Sequence, residues 1–296
     1  MESKNTVNEC ASCDNKKNKK DGICIKHSGS DGLPIMCTGK WSEEKHFYID
    51  NFLNLFFRAM YKKWAGNLCY VDLFCGPGRC RTKKTGNEFD GSPLIALKYQ
   101  FSKYIFVDKN EENINTLNSR TVNRAGSEKI VFIRGDCNDK IDEIRHELPK
   151  NSLSVVLVDP FKINFNFDSF IKLTNDRRMD LIIVFPLGMT IKRIMNKSKN
   201  EKAMIDNFLG GSDWQSFSKT KPGSLIGREI TDYFKNNLAN LGYRIPKEFI
   251  FDEITVKNTK NAPLYKLLFA SKDPLGNSFW NKIIQSRPNG QLSLFS

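Results

Sequence analysis

Leu68-Cys69-Tyr70-Val71-Asp72-Leu73-Phe74-Cys75-Gly76-Pro77-Gly78 is the stretch on which the reading of this chain turns. Residues 68–74 are almost wholly apolar and short, as a strand buried on both faces must be. A Gly-Pro-Gly turn follows at once. Glycines at that point let the backbone approach a ligand closely, where any Cβ would obstruct it. The third glycine of the dinucleotide fingerprint G-x-G-x-x-G is missing, so the turn suits a nucleoside with a charged amino-acid tail better than a pyrophosphate. Asp72, Phe74, Gly76, Pro77 and Gly78 are the ligand-binding candidates here. The Asp72 carboxylate either orients the loop or accepts from the ligand's ammonium group.

Working outward, strand and helix patterns alternate. Strands are predicted at 104–107, 130–133, 153–158 and 181–185, and helices at 92–100, 111–123, 139–148 and 167–173. Ser42-Glu43-Glu44-Lys45 resembles a capping box opening an earlier helix that runs to Trp64 and Gly66. Alternation of this length implies a parallel sheet with helices on both faces, whose ligands bind at the carboxyl ends of the strands. A helical insertion (188–209) carries Lys192, Arg193, Lys197 and Lys199. A further helix (224–241) precedes two closing strands at 248–256 and 265–270, expected as an antiparallel edge.

Three more aspartates fall at strand ends. Asp108 closes Phe106-Val107-Asp108, where a carboxylate accepts ribose hydroxyls. Asp136 follows strand three, placed to accept from an adenine amino group. Asp159 closes Val158-Asp159-Pro160-Phe161. A lone loop aspartate is ordinarily a helix cap. Four in register, with the glycine turn, point to S-adenosylmethionine and to an α/β, Rossmann-like class I methyltransferase sheet. Residues 79–103 separate Gly78 from Asp108 by more than a dinucleotide fold would. This stretch reads as a mobile lid, a nucleic-acid contact or an ordinary loop, with Arg79-Cys80-Arg81-Thr82-Lys83-Lys84 basic and flexible.

Taken together, Tyr70 to Arg79, Asp90-Gly91-Ser92-Pro93-Leu94, Asp159-Pro160-Phe161 and Ala270-Ser271-Lys272-Asp273-Pro274-Leu275-Gly276 resemble the three-Cys-motif partner protein family (TcmP) over roughly residues 42–285. The resemblance implies a methyltransferase-like fold of unsettled substrate, encoded beside a separate protein that carries three cysteines. The Cys-rich N-terminal segment is not part of that pattern. Asp159, Pro160 and Phe161 are the catalytic candidates, by partial likeness to the Asp/Asn-Pro-Pro-aromatic loop that orients target amines. Only one proline is present, and Pro160 could equally serve to shape the turn. No Pro-Cys follows strand four, which disfavours cytosine-C5 chemistry.

The ends of the chain read separately. Residues 1–40 lack a helical or strand period and form a small module or tail, with 41–285 the main domain and 286–296 a polar tail. Cys10, Cys13, Cys24 and His27 have paired x2 spacing suited to a tetrahedral zinc site. Gln291, Leu292, Leu294 and Phe295 look like a sliding-clamp-binding peptide. The other cysteines read as buried small hydrophobes. With 46 Lys and Arg against 33 Asp and Glu, the net charge of +13 favours a polyanionic partner. No apolar run reaches membrane-spanning length, and the N-terminus lacks a signal-like apolar region, so a cytoplasmic protein is expected. Two functions follow: a methyltransferase acting on nucleic acid, or a non-catalytic methyltransferase-like subunit of a genetically linked partner.

Overall fold

The computed structural model describes residues 19–20, 23–24, 27–188, 190, 199–218, 223–244, 253–257 and 263–284. In chain order the elements are β1 (Lys19–Lys20), β2 (Ile23–Cys24), β3 (Ile35–Thr38), α1 (Trp41–Met60), β4 (Leu68–Asp72), β5 (Arg79–Thr82), β6 (Glu88–Asp90), α2 (Ser92–Ala96), β7 (Lys103–Asp108), α3 (Glu111–Thr121), β8 (Ile130–Arg134), α4 (Ile141–Glu147), β9 (Leu153–Val158), α5 (Phe167–Thr174), β10 (Arg178–Phe185), α6 (Lys199–Leu209), α7 (Trp214–Ser218), α8 (Gly223–Asn240), β11 (Glu253–Lys257), β12 (Pro263–Ala270) and α9 (Pro274–Ile284).

The main sheet has seven strands in the order β11-β12-β10-β9-β4-β7-β8. The five from β10 to β8 are parallel, whereas β12 runs antiparallel to both β10 and β11. This is the Rossmann-like methyltransferase sheet expected from the sequence, closed by the antiparallel edge. The chain leaves β4 toward β7 on one side and returns to β9 on the other, so the order of strands reverses at β4. A crevice opens there above the carboxyl ends.

The strand pleat explains why the strand sequences are apolar throughout. Val71, Val156, Val158, Leu181 and Ile183 pack on one face with α4, α5, α6 and α8. Tyr70, Val155, Leu157, Ile182 and Val184 pack on the other with α1, α2 and α9. Alternate residues thus point into two different cores, and neither may be polar. Phe52 of α1 and Trp280 of α9 are fully buried beside Phe269. Each contributes on the order of 2–3 kcal/mol by leaving water.

The structure corrects the sequence reading in several places. Residues 79–84 are not a flexible loop: β5 holds Cys80, Arg81 and Thr82 buried. It pairs in parallel with β3 and antiparallel with β6, in a second, five-stranded sheet ordered β1-β2-β3-β5-β6. Residues 35–38, read as aperiodic, therefore form a strand, and 79–103 comprise β5, β6 and α2 rather than a lid. Strand β4 stops at Asp72, and Leu73 and Phe74 lie in the turn that leads to the glycines. Helix α2 ends at Ala96, short of the predicted residue 100. Helix α1 starts at Trp41 with Lys40 as its uncapped N-cap, so Ser42 lies inside the first turn and forms no capping box. Helix α9 was not predicted.

Cys37, Cys69, Cys75, Cys80 and Cys137 are buried, as expected. Cys10, Cys13 and the residues Gln291, Leu292, Leu294 and Phe295 lie outside the described residues, as do Lys192, Arg193 and Lys197. Among the described residues no group of three or more His, Cys, Asp or Glu could hold a metal ion. Cys24 is buried against the guanidinium of Arg81, which donates to its Sγ (3.7 Å) and to the His27 carbonyl (2.7 Å). No helix among the described residues is long and apolar enough to cross a membrane.

Candidate functional site

Three sequence segments build the glycine turn's geometry. Gly76 and Gly78 both have positive φ (60° and 89°), a region closed to most side chains. The turn is then pinned from outside. Gly91 N donates to the Gly78 carbonyl (2.8 Å), and a Cβ on Gly91 would come within 2.9 Å of that oxygen. The hydroxyl of the next residue, Ser92, hydrogen-bonds the Asp72 carboxylate. The Asp-Gly-Ser-Pro segment is therefore the clamp that holds the cofactor-type loop in shape.

Asp72 itself is fully buried beneath the turn. It accepts from the Phe74 amide (3.2 Å) and from the Tyr70 hydroxyl (3.4 Å). Burial pushes its carboxyl up to about 7, with the charge of Asp159 adding and the Ser92 hydroxyl opposing. Of the two roles open to Asp72 in the sequence, the geometry gives it the orienting one. It does not line the cleft.

The cleft has a volume of about 1250 Å³ and lies over the carboxyl ends of β4, β7, β8 and β9. Phe74, Gly76, Pro77, Gly78, Asp108, Asp136, Asp159, Pro160 and Phe161 all line it, so the structure brings together every predicted cleft residue except Asp72. Its carboxylates, Asp136, Asp108 and Asp159, follow the strand order β8, β7, β9 across the site.

Asp108 Oδ2 accepts from the Gly76 amide (2.9 Å) and from Asn113 Nδ2 (3.0 Å), while Oδ1 takes the Asn110 amide (2.8 Å). The carboxylate thus ties the glycine turn to the start of α3. One oxygen of Asp136 accepts from the Asn138 amide and side chain (3.0 and 2.9 Å). Asn138 in turn donates to the Asn164 carbonyl (2.8 Å), joining the loops after β8 and β9.

Asp159 is paired with Lys45 of α1, whose Nζ donates to Asp159 Oδ2. The neighbouring His46 Nδ1 donates to the Ser42 carbonyl (2.6 Å). Burial, aided by the charge of Lys45, lowers the imidazole to about 4. His46 is neutral at physiological pH and braces the helix turn that presents Lys45.

The site also contains two buried acceptors with no partner among the described residues, Asn113 Oδ1 and Asn164 Oδ1. The Asp108 and Asp136 carboxylates, which line the cleft, give it acceptors for a ligand rich in O–H and N–H donors. Ribose hydroxyls and an adenine amino group have that chemistry, and the residues present fit S-adenosylmethionine. Sequence reasoning missed Asn113, Asn164 and Lys45. A single polar residue on a helix or loop gives no periodic signal, and only the fold shows that these face one cleft.

The roof of the cleft is the small sheet, with Met36 packed 3.5 Å from the position of a Cβ on Gly76. Arg120 of α3 fastens it. The guanidinium grips both oxygens of Asp31 (2.8 and 3.0 Å) and also donates to the Pro77 carbonyl. These bonds hold the Asp31 carboxyl down at about 2. At the mouth stand Lys83, Lys109 and Lys162, none in an ion pair with another described residue, and Phe161, which is 63% exposed.

No family model matches the chain, and no curated protein matches it. Solved structures similar to it include protein LPL1258 from Legionella pneumophila (10% identity over 86% of this chain and 94% of that one, TM-score 0.47). Others are Trm1 from Pyrococcus horikoshii in complex with S-adenosyl-L-methionine (12%, 86% of this chain and 62% of that one, TM-score 0.46) and an O-methyltransferase from Bacillus cereus in complex with SAH (10%, 75% and 80%, TM-score 0.44). At TM-scores below 0.5, the case for a function rests on the chain's own geometry.

Proposed function

We propose that this chain is an S-adenosylmethionine-dependent methyltransferase acting on nucleic acid. The observation that carries the first half is the cleft itself. A glycine turn clamped by Gly91 and Ser92 lies beside Asp108 and Asp136, whose carboxylates offer acceptors to a donor-rich ligand. The cofactor, when bound, supplies an activated methyl group. Transfer then depends on orientation and proximity more than on acid–base chemistry, which suits a site with a neutral, structurally engaged His46.

The nucleic-acid half is supported by the mouth. Lys83, Lys109 and Lys162 offer positive charge to phosphates around an exposed aromatic ring at Phe161, on a chain of net charge +13. The three-Cys-motif partner reading, the zinc ligands and the clamp peptide are carried by the sequence alone.

Calorimetric titration of the wild type with S-adenosylmethionine tests the first half, and saturable binding that weakens in Asp136→Ala is expected. No binding across a range of salt concentrations overturns it. Transfer of a labelled methyl group to DNA or RNA tests the second. Replacing Lys83, Lys109 and Lys162 together by Glu should abolish labelling of nucleic acid while S-adenosylmethionine still binds measurably, since phosphate contacts are the more strongly charge-dependent. Unchanged labelling in that variant sinks the proposed substrate class.

A further inference from the structure

The Lys45–Asp159 pair is a largely buried ion pair set into the wall of the cleft, its side chains 12% and 20% exposed, from residues 114 positions apart in the chain. It lies where the strand order reverses. Asp159 directly follows β9, and β9 pairs with β4 through Asp72↔Leu157, so the pair flanks the start of the loop that carries the glycine turn. Of the three carboxylates lining the cleft, Asp108 and Asp136 lie to the other side of β4, on β7 and beyond β8. A nucleoside held by those two would leave the space over β4, beside Asp159, for its amino-acid tail. The Asp72 carboxylate, buried under the turn, is out of reach of that tail.

We propose that Lys45 and Asp159 together are the receptor for the zwitterionic tail of the cofactor, Lys45 taking the carboxylate and Asp159 the ammonium, an inference that rests on the cofactor reading above. The pair suits an exchange. Without ligand the two charges satisfy each other, and with ligand each takes the opposite charge of the tail. No buried charge is left unpaired in either state, which is the condition for keeping ions in a water-poor site. Asp159 is thereby committed to the cofactor and is not the group that orients a target amine. Of the predicted catalytic residues, Pro160 and Phe161 alone are left to face the methyl acceptor.

The test compares two ligands on the full chain by calorimetry: S-adenosylhomocysteine, which has the tail, and 5′-methylthioadenosine, which keeps the nucleoside and lacks it. The wild type should prefer the first by about 30-fold, the scale of charge-assisted hydrogen bonds. Lys45→Met and Asp159→Asn should each shrink that preference to about threefold by weakening S-adenosylhomocysteine alone, and Lys45→Arg should restore most of it. Binding of methylthioadenosine by each variant certifies its fold. A wild type that binds both ligands equally, or a Lys45→Met protein that keeps the full preference, overturns the assignment while leaving the cofactor reading intact. A Lys45→Met protein that loses both ligands also overturns it, since Lys45 then supports the whole cleft. A wild type that binds neither removes the cofactor reading, and this inference with it.

Discussion

Two aspartates are buried at opposite ends of the same sheet, and similar parts hold each. Asp72 ends β4 beside the cleft. A serine hydroxyl (Ser92) bonds it, and the adjacent Gly91 is too close to the Gly78 carbonyl to carry a side chain. Asp180 lies near the start of β10, on the sheet's far side from the cleft. There the Ser271 hydroxyl bonds it, and a Cβ on Gly276 would fall within 2.6 Å of Ser271 Oγ and 3.3 Å of Asp180 Oδ2. The segments that carry these serines and glycines, Asp90 to Leu94 and Ala270 to Gly276, are the ones that stand out in the sequence. The first device shapes a loop that lines the cleft; the second fixes the entry to α9 and does not line the cleft. Similar chemistry therefore serves binding at the carboxyl ends of the strands and stability at the other.

The largest contrast expected is between the glycines. In Gly91→Ala the new methyl meets a backbone oxygen that cannot swing away. A cost of about 2 kcal/mol in stability and about 30-fold in affinity for S-adenosylhomocysteine should follow. In Gly276→Ala the new methyl meets the Ser271 side chain, Oγ at 2.6 Å and Cβ at 2.8 Å, far from the cleft, so melting temperature falls while affinity holds. Equal loss of affinity in both would erase the distinction between the two devices.

The aspartates come next. Burial raises both carboxyls from 3.8 to about 7, with Asp159 adding at Asp72 and Asp273 adding at Asp180. Each folded carboxyl keeps its proton to higher pH than the unfolded one does. The stability involved is fully present below about 3.8 and is lost as pH rises through about 7, by at most about 4 kcal/mol per group. Asp180→Asn should flatten the dependence of melting temperature on pH between 5 and 8, stabilise the protein at pH 8 and leave ligand affinity alone. Asp72→Asn should flatten it too, but weaken S-adenosylhomocysteine by about fivefold, because the carboxylate that sets the turn is altered. A pH profile unchanged by either variant would show that these carboxyls titrate normally.

Smallest are the serines. Ser92→Ala and Ser271→Ala should each cost about 1 kcal/mol of stability by thermal unfolding, and only the first should weaken ligand binding. A fall in affinity in Ser271→Ala would mean that the two ends of the sheet are coupled.

The sheet was legible because its strands are apolar on both faces and because four of them, β4, β7, β8 and β9, carry an aspartate at or just beyond the carboxyl end. What these aspartates do was not. Whether Asp72 points into the cleft or beneath the turn depends on the pleat at a single position, and composition carries no trace of that. Strand β5 was hidden because Arg79-Cys80-Arg81-Thr82 looks like a charged loop. Arg81 is buried with Glu88 of the next strand, the His27 carbonyl and Cys24 around its guanidinium, the last two more than fifty residues away in the chain. Helix α9 could have been found: Leu275, Phe279, Trp280 and Ile283 recur at helical spacing, and the last three are buried.

The parallel pairing of β3 with β5 also bears on where this chain can be cut. A boundary at residue 40 falls between β3 and α1, yet β3 covers one side of β5 and anchors the roof through Asp31 and Arg120. A chain shortened to begin at residue 41 would leave β5 with a bare row of backbone donors and acceptors. It would also strip Arg81 and Arg120 of partners beside that row. An uncovered edge of this kind recruits strands from other molecules. Trimming the cysteine-rich leader would then trade a ligand site for an aggregation surface.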